Sequence, residues 1–207
     1  MKPEDASALA ILHREGIKTG FLSTLGERFL RALYQAIPAC SVGFGYVWAE
    51  ADGTVLGFIA CSEDTARLYK QVLRRRFFSL ALALARFALR PSIIRRCFAT
   101  LLYPRSTAST ETALPKAEVL SIAVSEEARG KGVGKVLMAA ALEELARRGI
   151  PSVRVAVWDG NSVANKYYVR SGYHLATTKT HHGKGMNIYV REIQSSRHDA
   201  PEDSPSD

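Results

Sequence analysis

The sequence predicts an α/β fold of the α+β type: a mixed, mostly antiparallel twisted sheet flanked by helices, with an added helical insertion. Three stretches predict it. Residues 42–50 and 55–61 are apolar runs joined by Ala51-Asp52-Gly53-Thr54, and Asp-Gly between such runs signals a hairpin. Residues 117–148 read as strand, glycine-rich turn and helix. Residues 175–180 and 186–193 read as a closing antiparallel pair around His181-His182-Gly183-Lys184-Gly185.

Taken in order, residues 4–15 place Ala8, Leu9, Ile11 and Leu12 on one helical face, and Gly16 and Gly20 break that helix. A second helix is expected from about residue 23 to 36, with Phe29, Leu30, Leu33 and Tyr34 as its buried stripe and Pro38 beyond its end. The hairpin follows. Residues 65–105 then depart from the rest. They hold ten basic residues (Arg67, Lys70, Arg74, Arg75, Arg76, Arg86, Arg90, Arg95, Arg96 and Arg105), no acidic residue, and many Phe, Leu and Ile. Pro91 divides the segment into expected helices at about 66–89 and 92–102. Residues 106–116 read as a polar linker and residues 194–207 as a disordered tail. The boundaries expected are thus a single domain over 1–193, interrupted by the insertion and linker.

Composition narrows the class. The chain has 207 residues, 47% of them hydrophobic and 23% charged, as in a soluble globular domain. Cys40, Cys61 and Cys97 are scattered and odd in number, which suits a reducing cytoplasm and neither a disulfide framework nor a metal site. The polar, acidic start is unlike a signal peptide, and no apolar run reaches the ~20 residues of a membrane span. The net charge of +8 is smaller than the charge of the insertion alone, so the remainder is slightly acidic.

The turn Arg129-Gly130-Lys131-Gly132-Val133-Gly134-Lys135 is where chemistry is expected. A helix N-terminus leaves backbone N–H groups unpaired and carries partial positive charge, and glycine lets an anion approach them. The Mg²⁺-binding P-loop is excluded because Val136 follows Gly134-Lys135 where Ser or Thr is required. The dinucleotide fingerprint is excluded because Gly130, Gly132 and Gly134 are spaced one residue apart throughout. What remains is R-x-x-G-x-G, carried by Arg129, Gly132 and Gly134. The alternative use of such a turn is to cap an ordinary helix.

A second pattern follows one strand later. After Val153, Val155 and Val157 and the Asp159-Gly160 turn comes N-x-x-A-x-x-x-Y-x-x-x-G-Y, carried by Asn161, Ala164, Tyr168, Gly172 and Tyr173. With both patterns in this order, the chain resembles the GNAT superfamily of acyl-CoA-dependent N-acyltransferases, firmly over about residues 117–193. The resemblance implies two central parallel strands that splay to admit the cofactor, with acetyl-CoA as acyl donor. It implies that Arg129, Gly130, Lys131, Gly132, Val133, Gly134 and Lys135 hold the pyrophosphate. Ile122, Ala123 and Val124 would pair with the pantetheine amides, and Asn161 would hydrogen-bond pantetheine or support the splay between the two central parallel strands, cap a helix, or do both. Tyr168 would protonate the departing thiolate. Glu118, which resembles the glutamate of histone-type members, would act as base, with a water chain as its rival. His13, His181 and His182 are weaker candidates. The family's usual first strand is missing or minimal here.

The acceptor is expected to be a primary amine on a small molecule, anionic if the insertion faces it. The insertion could instead lie on an anionic membrane surface or form a groove for a longer acyl chain. A nucleic-acid partner is not expected, because Leu and Ala interleave the cations in place of exposed aromatics and glycines. A catalytically silent CoA-binding module is the alternative of another class, and the intact Tyr168 weighs against it. The oligomeric state is left open, a homodimer included.

Overall fold

The computed structural model describes residues 1–18, 20–85, 87, 88, 90, 92, 93, 95, 114–181 and 183–193. Most of the expected second insertion helix and linker, His182 and the 194–207 tail lie outside the described residues. The described chain runs α1 (Ala6–Gly16), α2 (Phe21–Thr24), α3 (Glu27–Ala36), β1 (Gly43–Ala49), β2 (Val55–Ser62), α4 (Thr65–Ala85), β3 (Glu118–Val124), α5 (Val133–Arg147), β4 (Ser152–Trp158), α6 (Ser162–Arg170), β5 (His174–His181) and β6 (Lys184–Glu192). The strands form one sheet in the order β1-β2-β3-β4-β6-β5, antiparallel except for β3 and β4. Among the described residues no strand precedes α1, as the sequence suggests.

Each face of the sheet buries its own core. On one, α1, α3 and α4 pack Leu9, Leu30, Tyr34, Leu68 and Val72 against Phe58 and Ala60. On the other, α5 and α6 pack Leu137, Ala141, Leu145 and Tyr168 against Ile59, Val153, Val155 and Tyr189. Gly57 lets α5 lie close to β2. A Cβ there would come within 3.1 Å of Val133 Cγ1 and 3.3 Å of Leu137 Cδ1, contacts tighter than packed side chains normally accept.

Three boundaries differ from expectation. The helix expected over 23–36 is two helices, because Gly26 adopts φ 82° and interrupts it. The helix expected after the Arg129–Lys135 turn begins inside it, at Val133: Gly132, with φ 82°, is its N-cap, and its carbonyl accepts from Lys135 and Val136. Gly134 is therefore a helical residue, not a turn residue. The first insertion helix ends at Ala85 and leaves helical geometry at Arg76 (φ −127°, ψ 22°).

Two irregularities open the centre of the sheet. Ala60 pairs with Ser121 and Cys61 with Val119, so Leu120 is an extra residue on β3. Such a bulge bends a strand and re-aims its side chains. The parallel pair then holds at Glu118↔Arg154 and Val119↔Val155 only. Beyond it β3 continues to Val124 and β4 to Trp158 without pairing to each other, and a cleft opens between them.

Candidate active site

The cleft encloses about 350 Å³. Leu120, Ser121 and Ile122 of β3 form one wall and Ala156, Val157 and Trp158 of β4 the other. Gly16, Ile17 and Phe21, from the end of α1 and the start of α2, close one side. Tyr168 of α6 and the β5–β6 hairpin, through His181, Lys184 and Met186, close the rest. The cleft-side edge of β3 beyond Val119 makes no strand pairing among the described residues. Ser125 donates to the Leu56 carbonyl, so in the alternating antiparallel ladder Ala123 is bonded to Phe58, and Ile122 and Val124 are the residues that turn their backbone groups to the cleft. Ile122 lines the cleft, whereas Ala123 is packed into the α1 side of the core.

The glycine-rich turn forms the N-terminus of α5. Its donors divide in a way the sequence did not reveal. The N–H groups of Arg129, Lys131 and Lys135 already donate to the carbonyls of Glu126, Ala128 and Gly132. Those of Gly130, Gly132, Val133 and Gly134 make no hydrogen bond among the described residues. The cradle of free donors is thus narrower than the set Arg129–Lys135 expected from sequence, and Arg129, Lys131 and Lys135 contribute their side-chain charges. A Cβ at Gly130 or Gly132 would meet nothing within 4 Å, and one at Gly134 only Val124 Cγ2 at 3.8 Å. The space over the turn is open, and it fits a diphosphate.

Tyr168 is 4% exposed and lies among the rings of Tyr167, Tyr173 and Tyr189, at centroid distances of 5.3, 5.2 and 6.1 Å. Burial above all, then the neighbouring Tyr173, Tyr167 and Cys61, pushes its phenol well above the usual range. The hydroxyl therefore keeps its proton at any physiological pH. Two devices hold α6 in place. Asn161 Oδ1 accepts from Ala164 N–H at 3.1 Å, the N-cap use foreseen for it, while Asn161 also lines the cleft. Asn165 donates to the carbonyls of Trp158, Asp159 and Asn161 and accepts from Asn187 and from the Tyr189 hydroxyl at 2.9 Å, tying α6 to β4 and β6.

Glu118 does not stand as a free carboxylate beside Leu120. Its Oε2 accepts from Thr65 Oγ1 at 2.9 Å and from Arg154 Nη2 and Nε at 2.8 and 3.1 Å. It lies where β3 and β4 are still paired and is not among the residues lining the cleft. The cause is register. Glu118 faces Arg154 across the parallel pair, and the buried guanidinium needs a counter-charge. Sequence inspection of one strand cannot reveal its partner.

Ser121 and Lys184, which sequence reasoning passed over, and His13 and His181, its weaker candidates, also shape the site. Ser121 is buried and lines the cleft, and its hydroxyl lies against that of Tyr34, which is 2.6 Å from His13 Nδ1. His13 is fully enclosed, its Nε2 has no partner, and burial lowers its pKa to about 4. Lys184 and His181 bring positive and titratable groups to the hairpin side of the cleft, Lys184 with its ammonium 5.5 Å from the Trp158 ring. Among the described residues no Asp or Glu lines the cleft.

An antiparallel sheet parted at a central parallel pair, with a donor-rich helix N-terminus beside the gap, defines a class of α/β proteins that can take an anionic ligand across a splayed sheet. Residues 15–173 match the Acetyltransferase (GNAT) family, and the chain belongs to it. The family uses acetyl-CoA as cosubstrate. Solved structures agree in fold. One is SsHAT, at a TM-score of 0.67 and 20% identity over 94% of this chain and 96% of that one. Another is the ribosomal-protein-S18-alanine N-acetyltransferase of Escherichia coli, at 0.59 and 13% over 97% and 95%. A third is the PaiA N-acetyltransferase of Thermoplasma acidophilum in complex with coenzyme A, at 0.56 and 17% over 93% and 95%. A mycothiol acetyltransferase from Nocardioides sp. (strain ATCC BAA-499 / JS614) is 39% identical over 64 residues, which span 31% of this chain and 22% of that relative.

Proposed function

We propose that the protein transfers an acetyl group from acetyl-CoA to a primary amine on a small anionic acceptor, by direct attack with both substrates bound. The observation that carries this reading is the placing of Tyr168 on the wall of a cleft opened by the β3–β4 splay. The free N–H groups of Gly130, Gly132, Val133 and Gly134, with Arg129, Lys131 and Lys135 around them, hold the pyrophosphate. The cleft-facing backbone groups of Ile122 and Val124, on a strand that Ala123 ties to β2, and the capping residue Asn161 orient the pantetheine arm. When bound, acetyl-CoA supplies the acetyl group as a thioester.

Tyr168 gives its hydroxyl proton to the sulfur as the carbon–sulfur bond breaks. His181, the imidazole lining the same cleft, takes the proton that the attacking nitrogen gives up. Exchange with water then restores both groups. Glu118 is assigned to holding Arg154 and the closed end of the strand pair. The described residues that line the cleft include Lys184 and no Asp or Glu, which supports an acceptor that carries a carboxylate or phosphate. The test is consumption of acetyl-CoA against a panel of amines matched in pairs with and without an anionic group. Turnover confined to the anionic members supports the reading. Turnover with a thiol or alcohol in place of the amine, or preference for the neutral members, overturns it.

A further inference from the structure

We propose that α4 docks the protein on an anionic lipid surface, with Phe77, Phe78 and Leu82 entering the apolar layer and Arg67, Lys70, Arg74 and Arg75 binding headgroup phosphates.

The helix changes character at Arg76. Before the kink, Thr65, Leu68 and Val72 are buried on the core side while Arg67, Lys70, Arg74 and Arg75 point outward. Beyond it, Leu80, Ala83 and Phe87 continue the buried side, so this half should present polar residues to water. Instead the exposed positions among the described residues are Phe77, Phe78, Ser79, Ala81, Leu82, Ala85 and Ala88, with Phe77 58%, Phe78 85% and Leu82 76% exposed. A helical stretch apolar on both sides needs apolar surroundings on both sides. Two phenylalanines and a leucine held outward together form a patch that marks an interaction site, unlike single exposed leucines.

The second observation lies on the other half. Arg67, Lys70, Arg74 and Arg75 line one groove of about 330 Å³ together with Ser41 and Gln71, and Ser41 and Gln71 are occupied with each other through bonds of 3.0 and 2.9 Å. None of the four cations has an acidic partner among the described residues. Four uncompensated cations around one hollow suit an anion with several oxygens. Exposed Arg90 and Arg95 return positive charge beyond the apolar stretch. Cations, apolar wedge, cations is the order a helix needs to lie in a bilayer interface.

Charge and surface together select the partner. A second copy of the chain would bring the same cations against each other. A nucleic acid would satisfy the cations and leave Phe78 and Leu82 in water. An anionic bilayer satisfies both. No described helix is long and apolar enough to cross a membrane, so the contact is peripheral. α4 shares no residue with the lining of the catalytic cleft, and failure of the docking leaves the acetyl-transfer reading untouched.

The test is flotation of the full chain with vesicles of phosphatidylcholine alone and of phosphatidylcholine mixed with phosphatidylglycerol. Binding is expected to the mixed vesicles and to be lost at high salt. Arg74→Glu combined with Arg75→Glu should lower partitioning by roughly thirtyfold or more. Phe77→Ser combined with Phe78→Ser should lower it by roughly tenfold or more. A Phe78→Trp variant should shift its emission to the blue on mixed vesicles only. All these positions are exposed, and far-UV circular dichroism confirms that the variants fold. Equal binding to neutral vesicles, or undiminished binding of either double variant, overturns the proposal. Binding to duplex DNA that survives Phe77→Ser/Phe78→Ser while vesicle binding is absent would make the partner a nucleic acid and overturn it too.

Discussion

Arg154 Nη2 donates to Glu118 Oε2 at 2.8 Å, and the two residues are register partners in the parallel β3–β4 pair. Arg154 is buried, and Thr65 adds a further donor to the same carboxylate oxygen. Removing one member of a buried pair leaves a charge that water cannot reach. Glu118→Ala should therefore cost about 3–5 kcal/mol in urea unfolding. Glu118→Leu with Arg154→Met should recover most of it. Glu118→Gln gives the sharper comparison. It should lower stability while kcat per folded molecule stays within roughly tenfold of the parent. A catalytic base would give the opposite pattern, a fall of roughly 10²–10⁴ in kcat with stability kept.

His13 makes stability depend on pH. Its folded pKa, lowered by burial to about 4, lies below the 6.5 of an exposed imidazole. Between those values the unfolded chain binds a proton at this site and the folded chain does not. Stability from this residue is thus constant above about pH 6.5 and declines as pH falls toward about 4, by at most about 3 kcal/mol. His13→Leu should be less stable at neutral pH, because the Tyr34 hydroxyl loses its partner, and should show a flatter decline on acidification. Urea midpoints of the two proteins, taken at intervals across that range, measure the difference. Parallel pH curves would remove His13 as the cause.

The sheet, its hairpin, the glycine-rich turn and the α6 motif were legible because each rests on local chemistry. Asp52-Gly53 makes its turn whatever surrounds it, and Gly132 needs its positive φ as the cap of α5. What stayed hidden depends on residues far apart in sequence. Glu118 could not be matched to Arg154, 36 positions on, before the register of two strands was known. The bulge at Leu120 leaves no composition signal. Ser121, Tyr34 and His13 meet only because α1 and α3 pack over β3. Which face of α4 stays exposed was hidden for the same reason. An apolar side reads identically whether it meets a core or a partner, and only the packing of Leu80 and Ala83 tells which positions are left outside.

Gly134 offers the cleanest disturbance of the cofactor cradle. Gly130 and Gly132 have positive φ, so any side chain there also strains the backbone. Gly134 is an ordinary helical position with room for a Cβ, 3.8 Å from Val124. Gly134→Asp places a carboxylate beside the free N–H groups of Val133 and Gly134. It should weaken CoA binding by roughly tenfold to a hundredfold, the value of a charge-assisted hydrogen bond or two, while Gly134→Ala should weaken it far less. Calorimetric titration with CoA reads both. Equal affinities for the two variants would move the pyrophosphate away from this turn.

Tyr168 carries the last prediction. Tyr168 lines the cleft, and burial holds its phenol in the protonated form. Tyr168→Phe keeps the ring packing against Tyr173 and Tyr189 and removes only the proton donor. It should lower kcat by roughly 10²–10⁴ with little change in CoA affinity or stability. Because the phenol ionises well above its ordinary range, the parent enzyme should show no alkaline fall in kcat from this residue up to about pH 10. His181→Ala should lose most of the rate, because its imidazole takes the amine's proton in this reading. Turnover of His181→Ala close to the parent's would assign that proton to water, and near-parental turnover of Tyr168→Phe would assign the thiolate's proton to solvent as well.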